Sequence, residues 1–219
     1  MIRMHKERSL MRNGGVVTGF IFDLDGTLID SEPLCEAAWA NTLASFGSRL
    51  TTPEARWSVG KTSRECALHF AATRPALPEP QVLTRCYMDA LSAGMAKHLR
   101  TFRDARVTVE WLRLQGIPVG IATNSSRARV NNSLMLTNPR LPELPSTAAD
   151  EVARPKPAPD VYLRTAEKLG VPAQCCIAVE DSDVGQQSAI AAGMQVIRVD
   201  QYDRNSDTLL RQCQQLAVQ

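Results

Sequence analysis

The chain has 219 residues, 44% of them hydrophobic, which is enough for one large domain or for a domain with a smaller insert. Its 25 basic and 23 acidic residues give a net charge of +2, so composition offers no reason to expect binding to nucleic acid or to a membrane. No apolar run reaches the roughly 18 residues of a membrane helix. The six cysteines form no Cys-x-x-Cys pair and no zinc spacing, and we therefore expect reduced thiols and a cytoplasmic protein.

The basic segment 1–15 lacks the apolar stretch and the cleavage site of a signal peptide, so we expect a flexible tail. The next segment, 16–22, is rich in apolar and β-branched residues and predicts a strand buried on both faces. Asp23, Asp25 and Gly26 follow it, at the sheet edge where parallel α/β folds bind ligands. A solvated acidic turn is the alternative. A calcium-binding EF-hand loop is excluded, because that loop has glycine at its sixth position, whereas Gly26 is the fourth residue counted from Asp23.

Helical periodicity dominates the next part of the chain. Pro33 suits the first turn of a helix that Asp30 or Ser31 would cap. Further helices are predicted without any intervening strand, at 54–59, 63–73 and 80–98. We interpret residues 33–101 as a helical cap domain inserted after the first strand.

Strands and helices alternate after this insert. Strands are predicted at 117–123, 146–149, 175–179 and 194–199, and helices at 105–115, 127–136, 157–169, 184–192 and 206–218. This order predicts an α/β fold in which a doubly wound parallel sheet carries helices on both faces. Residues 16–32 and 102–219 would form this core domain.

Polar residues follow the ends of several predicted strands, and a lysine stands at the start of the helix before one of these strands. The set contains four acids, a hydroxyl, an amide and one lysine: Asp23, Asp25, Thr123, Asn124, Lys156, Glu180 and Asp181. Taken singly, each has an ordinary interpretation as a strand residue, a helix cap or a solvated lysine. Together they are expected at one edge of the sheet, where hard oxygen ligands beside a lysine indicate a magnesium ion next to a phosphate group.

Four motifs in this order resemble those of the haloacid dehalogenase-like hydrolase superfamily, in the branch with a helical cap that includes β-phosphoglucomutase and many small-metabolite phosphatases. The first is Asp23-Leu24-Asp25-Gly26-Thr27, and the second is Thr123 at a strand end. The third is Lys156 in a Lys-Pro-x-Pro-Asp context, and the fourth is Glu180-Asp181-Ser182. The resemblance covers residues 18 to about 200 and implies a Rossmann-like core with a cap.

The resemblance also implies a role for each motif. Asp23 would attack phosphorus and form an aspartyl-phosphate. Asp25 would be the general acid and base, for which neighbouring carboxylates should raise its pKa. Lys156 and Thr123 would bind the phosphate oxygens. A magnesium ion would be held by four acids: Asp23, Asp25 through its backbone carbonyl, Glu180 and Asp181.

Substrate recognition is expected to involve the predicted cap. The segment 60–65 is similar to the mutase segment whose arginine holds a second phosphate, so Lys61 and Arg64, together with Asn124, are candidate substrate-binding residues. An ordinary surface arginine is an equally good interpretation of Arg64. Cys35 stands where the phosphomutases have a histidine, which favours hydrolysis over mutase action. The presence of Asp25 argues against dehalogenation.

We therefore predict a magnesium-dependent phosphatase, monomeric or weakly dimeric, that acts on a small phosphorylated metabolite such as a sugar phosphate. One alternative is a β-phosphoglucomutase-like phosphomutase. The other is a non-catalytic relative that binds a phosphorylated ligand or a partner, although binding alone would not require Asp25.

Overall fold

The computed structural model of the protein describes residues 11–12, 15–200, 204 and 207–217. The tail predicted at 1–15 therefore lies mostly outside the described residues. Within that region the structure shows a short antiparallel ladder between β1 (Met11–Arg12) and β2 (Gly15–Val16).

A parallel sheet of five strands forms the centre of the described chain. Its strands are β3 (Gly19–Phe22), β4 (Val119–Ala122), β5 (Ser146–Thr147), β6 (Cys176–Glu180) and β7 (Gln195–Arg198). They lie in the order β5-β4-β3-β6-β7, and every pair is parallel. Every residue of β3, β4 and β6 is buried, as their apolar sequences predict.

Helices cover both faces of this sheet, which confirms the predicted doubly wound α/β fold. Helix α5 (Arg103–Leu114) precedes β4. The helices after β4 are α6 (Arg127–Leu136), α7 (Asp160–Leu169), α8 (Asp183–Ala191) and α9 (Thr208–Ala217). One buried cluster joins the sheet to α5, α6 and α9, and a second joins it to α7 and α8. Short 3-10 turns occupy Ala149–Glu151 and Ala173–Cys175.

Four helices connect β3 to α5, and no strand of the described chain lies among them. They are α1 (Glu32–Ser45), α2 (Thr52–Ser58), α3 (Ser63–Thr73) and α4 (Pro80–His98). Trp39 of α1 stacks on Tyr87 of α4 with ring centroids 4.2 Å apart, and Phe70 of α3 meets it edge-on at 5.0 Å. These aromatic contacts hold α1, α3 and α4 together. None of the described helices is long and apolar enough to cross a membrane.

Several predicted boundaries differ from the structure, and two of these differences have a clear local cause. The helix expected from residue 157 begins at Asp160, because the prolines at 157 and 159 disfavour helical conformation at the residues before them. The strand expected at 146–149 ends at Thr147. There the Ala148 N–H donates to Glu151 at 2.8 Å, and the chain turns into a 3-10 helix.

Candidate active site

The central position of β3 brings three strand ends together. Phe22 pairs with Ile121 of β4 on one side and with Val179 of β6 on the other. The residues that follow these strands therefore meet at one edge, as predicted. A cavity of about 360 Å³ opens there, between the strand ends and helices of the segment 32–98. It is lined by most of the predicted site residues: Asp23, Asp25, Lys61, Thr123, Asn124, Lys156 and Asp181.

Lys156 lies between two carboxylates at the base of this cavity. Its ammonium group donates to Asp23 Oδ1 at 2.6 Å and to Glu180 Oε1 at 2.5 Å, and all three side chains are buried. Burial alone would lower the pKa of Lys156, but the two carboxylates raise it above its usual value. Lys156 is therefore a permanent cation beside Asp23.

Glu180 has further partners that the sequence did not indicate. Tyr162 of α7 donates its hydroxyl to Glu180 Oε1 at 2.7 Å, and the Ser182 hydroxyl donates to Oε2 at 3.1 Å. Glu180 has no exposed surface and does not line the cavity. Its carboxylate is thus fixed in place behind Asp23 and Lys156.

Three acidic side chains are close enough to share a cation. Oxygen atoms of Asp23, Glu180 and Asp181 lie within 4.8 Å of one another. Burial, opposed by Lys156, holds the pKa of Asp23 well above its usual range. Burial and the neighbouring Glu180 raise the pKa of Asp181 to about 7. Three carboxyl groups thus lie beside one lysine, and their hard oxygen donors fit a magnesium ion.

The turn after β3 packs directly against Asp181. Gly26 has φ of +76°, and a Cβ atom there would lie 2.2 Å from Asp181 Oδ2. Glycine is required at this position both for its left-handed conformation and for the close approach of the carboxylate. The Thr27 hydroxyl donates to Asp181 Oδ1 at 3.3 Å. The first and fourth motifs are therefore in contact.

Asp25 lies in a separate group of contacts. Its Oδ1 accepts from Ser31 at 2.5 Å and from Arg129 Nη2 at 2.6 Å, and its Oδ2 accepts from Ser125 at 2.6 Å. Burial raises the pKa of Asp25, but Arg129 and the hydroxyl donors outweigh it, so the pKa lies below its usual value. The expectation that neighbouring carboxylates would raise this pKa was wrong, because a cation lies closer than any of them.

Arg129 is the functional residue that sequence reasoning missed. It is buried on α6, and besides Asp25 it donates to Tyr87 Oη at 3.0 Å and to Cys35 Sγ at 3.1 Å. No local sequence pattern distinguishes an arginine that binds a site carboxylate from any other arginine in a helix. The available hint was its position six residues after Thr123, which places it within two turns of the strand end.

Thr123 and Asn124 occupy the end of β4. Thr123 is buried, and its Oγ1 accepts the amide of Ser125 at 3.0 Å, which leaves its hydroxyl proton for another acceptor. The Asn124 side chain accepts from the Lys156 amide at 2.8 Å and donates to the carbonyls of Gly60 and Lys156. Its amide therefore positions Lys156 and also contacts the loop before α3.

The two candidate residues of the predicted cap differ in their placement. Lys61 lines the cavity, with Nζ 5.0 Å from the ring centroid of Trp57. Arg64 is exposed on α3 and does not line the cavity. The structure thus brings Lys61, but not Arg64, to the predicted site.

The start of α1 also differs from expectation. Ser31 precedes the helix but makes no side-chain capping bond, because its backbone is in the helical region and not in the extended conformation of a capping residue; its hydroxyl donates to Asp25. Glu32 and Cys35 of the first turns line the cavity. Burial and the nearby Asp25 raise the pKa of Glu32 to about 7, and burial raises the pKa of the Cys35 thiol.

Comparison with known proteins gives the same picture. The family described as haloacid dehalogenase-like hydrolase matches residues 20–199. Hexitol phosphatase A of Escherichia coli is 35% identical over 182 residues, covering 83% of this chain and 82% of that protein. Fructose-1-phosphate phosphatase YqaB of Escherichia coli is 30% identical over 181 residues, covering 83% and 95%.

A solved structure with the same fold is CbbY from Rhodobacter sphaeroides in complex with phosphate. It superposes with a TM-score of 0.75 over 88% of this chain and 91% of that chain, at 24% identity. The family match spans most of the chain, and the order of strands and motifs agrees with it. The chain belongs to the haloacid dehalogenase-like hydrolase family.

Proposed function

We propose that the protein is a magnesium-dependent phosphatase that hydrolyses a small sugar phosphate through an aspartyl-phosphate on Asp23. The observation that carries the proposal is the pairing of Asp23 with Lys156 at the base of a cavity whose wall also holds Asp25. The family and the two similar phosphatases support the enzyme class, phosphomonoester hydrolase. The names of those relatives, a hexitol and a fructose-1-phosphate phosphatase, support a sugar phosphate as substrate.

The first step is assigned to Asp23. A carboxylate oxygen bonds to phosphorus while the ester bond to the leaving oxygen breaks, so one displacement becomes two easier ones. Lys156 fixes the orientation of Asp23, and its charge stabilises the phosphate oxygens together with the Thr123 hydroxyl. A magnesium ion, held by Asp23, Asp181, Glu180 and the Asp25 carbonyl, would neutralise charge between these acids and the phosphate dianion.

Asp25 handles the proton in both steps. The leaving oxygen must gain a proton in the first step, whereas the attacking water must lose one in the second. Arg129 holds Asp25 as a carboxylate in the free protein, which is the form needed for the second step. The negative charge of the bound phosphate would raise the pKa of Asp25, so Asp25 would take up a proton from solvent on substrate binding and pass it to the leaving oxygen in the first step.

The same proposal assigns different roles to the core and to the cap. Residues 16–32 and 102–219 would supply the chemistry, and residues 33–101 would select the substrate from the other side of the cavity. Cys35 supports hydrolysis over phosphoryl transfer between sugar hydroxyls, because a thiol with a raised pKa is neutral and cannot replace a histidine base. The six free cysteines support a cytoplasmic location, and we propose a monomer or weak dimer.

Phosphate release from a panel of phosphorylated sugars and one aryl phosphate tests the proposal. We expect release with magnesium and none after chelation. Asp23→Asn should lower it by at least about a thousandfold, as removing a nucleophile does in other enzymes. A folded, magnesium-binding protein that releases phosphate from no compound would contradict the proposal, as would an Asp23→Asn variant of normal activity.

A further inference from the structure

A buried arginine outside the catalytic machinery contacts the turn that follows β3. Arg204 is 6% exposed, and its guanidinium group donates to the carbonyl of Gly26 at 3.0 Å and to that of Thr27 at 2.7 Å. It lies 178 residues from Gly26 in the chain. It does not line the cavity, so a direct contact with substrate is not available to it.

The same guanidinium group is held from the other side by Asp104 and Phe102. Nε donates to Asp104 Oδ2 at 2.9 Å and Nη2 donates to Oδ1 at 3.1 Å, while the guanidinium carbon lies 4.2 Å from the Phe102 ring centroid. Asp104 is 4% exposed. A bidentate pair under an aromatic ring fixes the plane of the guanidinium group, and only arginine has donors for two carbonyls and a carboxylate together.

The two carbonyls belong to the turn that carries the proposed metal ligands. The Gly26 peptide directly follows the Asp25 carbonyl, which is one proposed ligand. The Thr27 hydroxyl donates to Asp181, which is another. Gly26 also packs against the Asp181 carboxylate, with no room for a Cβ atom. A shift of this turn would therefore displace both ligands.

We propose that Arg204 is a positioning residue for the magnesium site. By holding the Gly26 and Thr27 carbonyls, it fixes the Asp25 carbonyl and the Asp181 carboxylate in the geometry that a magnesium ion requires. A bound magnesium ion demands near-octahedral placement of its ligands, so a preformed turn raises the affinity for it. This inference rests on the proposed magnesium-dependent function.

Magnesium titration of the full-length protein by calorimetry, without substrate, tests the inference. We expect Arg204→Gln to weaken magnesium binding by about tenfold or more, the effect typical of residues that support metal ligands. Arg204→Lys should weaken it as well, because one ammonium group cannot reach both carbonyls and Asp104. At saturating magnesium, KM for substrate should stay near the wild-type value.

Two further variants separate positioning from general stability. Leu209→Ala removes a buried apolar side chain of α9 and leaves every hydrogen-bonding group of Arg204 in place, so it should lower Tm without changing magnesium affinity. Asp104→Asn keeps the size of its side chain but loses the charge that holds Arg204. It should weaken magnesium binding in the same direction as the Arg204 variants, by a smaller factor.

The outcomes are distinct. Unchanged magnesium affinity in folded Arg204 variants would overturn the inference, as would equal weakening in Leu209→Ala. If the Arg204 variants do not fold, Asp104→Asn decides, and wild-type affinity there would also overturn it. If phosphate release requires Asp23 but the Arg204 variants bind magnesium as tightly as the wild type, the proposed function stands and only the role of Arg204 is rejected.

Discussion

Charge in the candidate site is divided between two groups of residues. Lys156 forms salt bridges with Asp23 and Glu180, whereas Arg129 forms one with Asp25. No salt bridge of the described chain reaches Asp181, whose carboxyl pKa is raised to about 7. The two aspartates of the first motif thus have different cations, although only one residue lies between them. Without a metal ion their pKa values move in opposite directions, and a magnesium ion beside Asp23 would lower its raised pKa and give the carboxylate that the proposed attack on phosphorus needs.

Arg129 should control the ionisation of Asp25. Arg129→Met removes the cation that lowers the pKa of Asp25, so this pKa should rise. We expect the limb of the pH profile of kcat/KM that reports Asp25 to move to higher pH. Steady-state assays with an alkyl phosphate measure the shift. Arg129→Lys keeps the charge and should move the limb less, and an unshifted profile in Arg129→Met would refute this assignment.

Glu32 should make stability depend on pH. Its carboxyl pKa is about 7 in the folded protein and about 4.5 in an unfolded chain. Between these values the folded state binds more protons, so the free energy of unfolding should fall as pH rises through this window. Glu32→Gln should therefore be more stable than wild type at pH 8 but not at pH 5, by denaturant unfolding in metal-free buffer.

Glu36→Gln, on the exposed face of the same helix, is the matched control for this comparison. Its stability difference from wild type should be similar at both pH values. If the stability of Glu32→Gln also differed from wild type by the same amount at pH 5 and pH 8, Glu32 would have an ordinary pKa in the folded protein and the prediction would be wrong.

At the scale of secondary structure, the first turn of α8 is shaped by the site. Gly185 lies where a Cβ atom would come within 2.1 Å of three atoms of the Glu180 carboxyl group. Alanine normally stabilises a helix interior by roughly 0.5–1 kcal/mol relative to glycine. Here the added methyl group would displace Glu180 from Lys156 and Tyr162. The packing of Glu180 therefore requires glycine at position 185.

Gly185→Ala should lower both stability and magnesium-dependent activity. We expect a loss of about 1–3 kcal/mol, the usual cost of overpacking, measured by denaturant unfolding. Gly94→Ala in α4 is the matched control, since its Cβ would make an ordinary 3.8 Å contact with Leu34 and should stabilise the protein slightly. Equal stability of both variants would contradict this account of Gly185.

The sequence predicted those elements whose signals are local. The buried strands β3, β4 and β6 end where continuous apolar runs end, and α3, α4 and α6 have the predicted bounds. The acids and Thr123 were found because they follow strand ends, and Lys156 was found because it lies in a family motif. The fold then brings them together as parallel strands must.

The contacts that sequence could not predict join distant elements. Arg129 reaches Asp25 across 104 residues, and Arg204 reaches Asp104 across 100. Neither arginine lies in a motif whose spacing indicates its partner. Ser31 was expected to cap α1, but its backbone is in the helical region and not in the extended conformation of a capping residue, and its hydroxyl donates to Asp25. Such choices depend on tertiary contacts that local patterns do not encode.

At the scale of the whole molecule, the cavity lies where the segment 32–98 meets the sheet edge. The wall on the helical side is supplied by Trp39, Met88, Lys61 and Arg56, and the other side by the candidate catalytic residues. The Asn124 amide joins the two sides through the Gly60 carbonyl at 3.1 Å. The wall mixes apolar, cationic and acidic side chains, which suits a small polar metabolite and explains why no short motif specifies the substrate.

The central claim is that Asp23 carries the phosphoryl group during turnover. Asp25→Asn should allow this step with an aryl phosphate, whose leaving group needs no proton, and should slow hydrolysis of the intermediate for lack of a base. Acid quenching followed by peptide mass spectrometry should find a phosphoryl group on the peptide that contains Asp23, only when magnesium is present. Phosphate release by Asp25→Asn with no phosphoryl group on Asp23, or with one on another residue, would contradict the account.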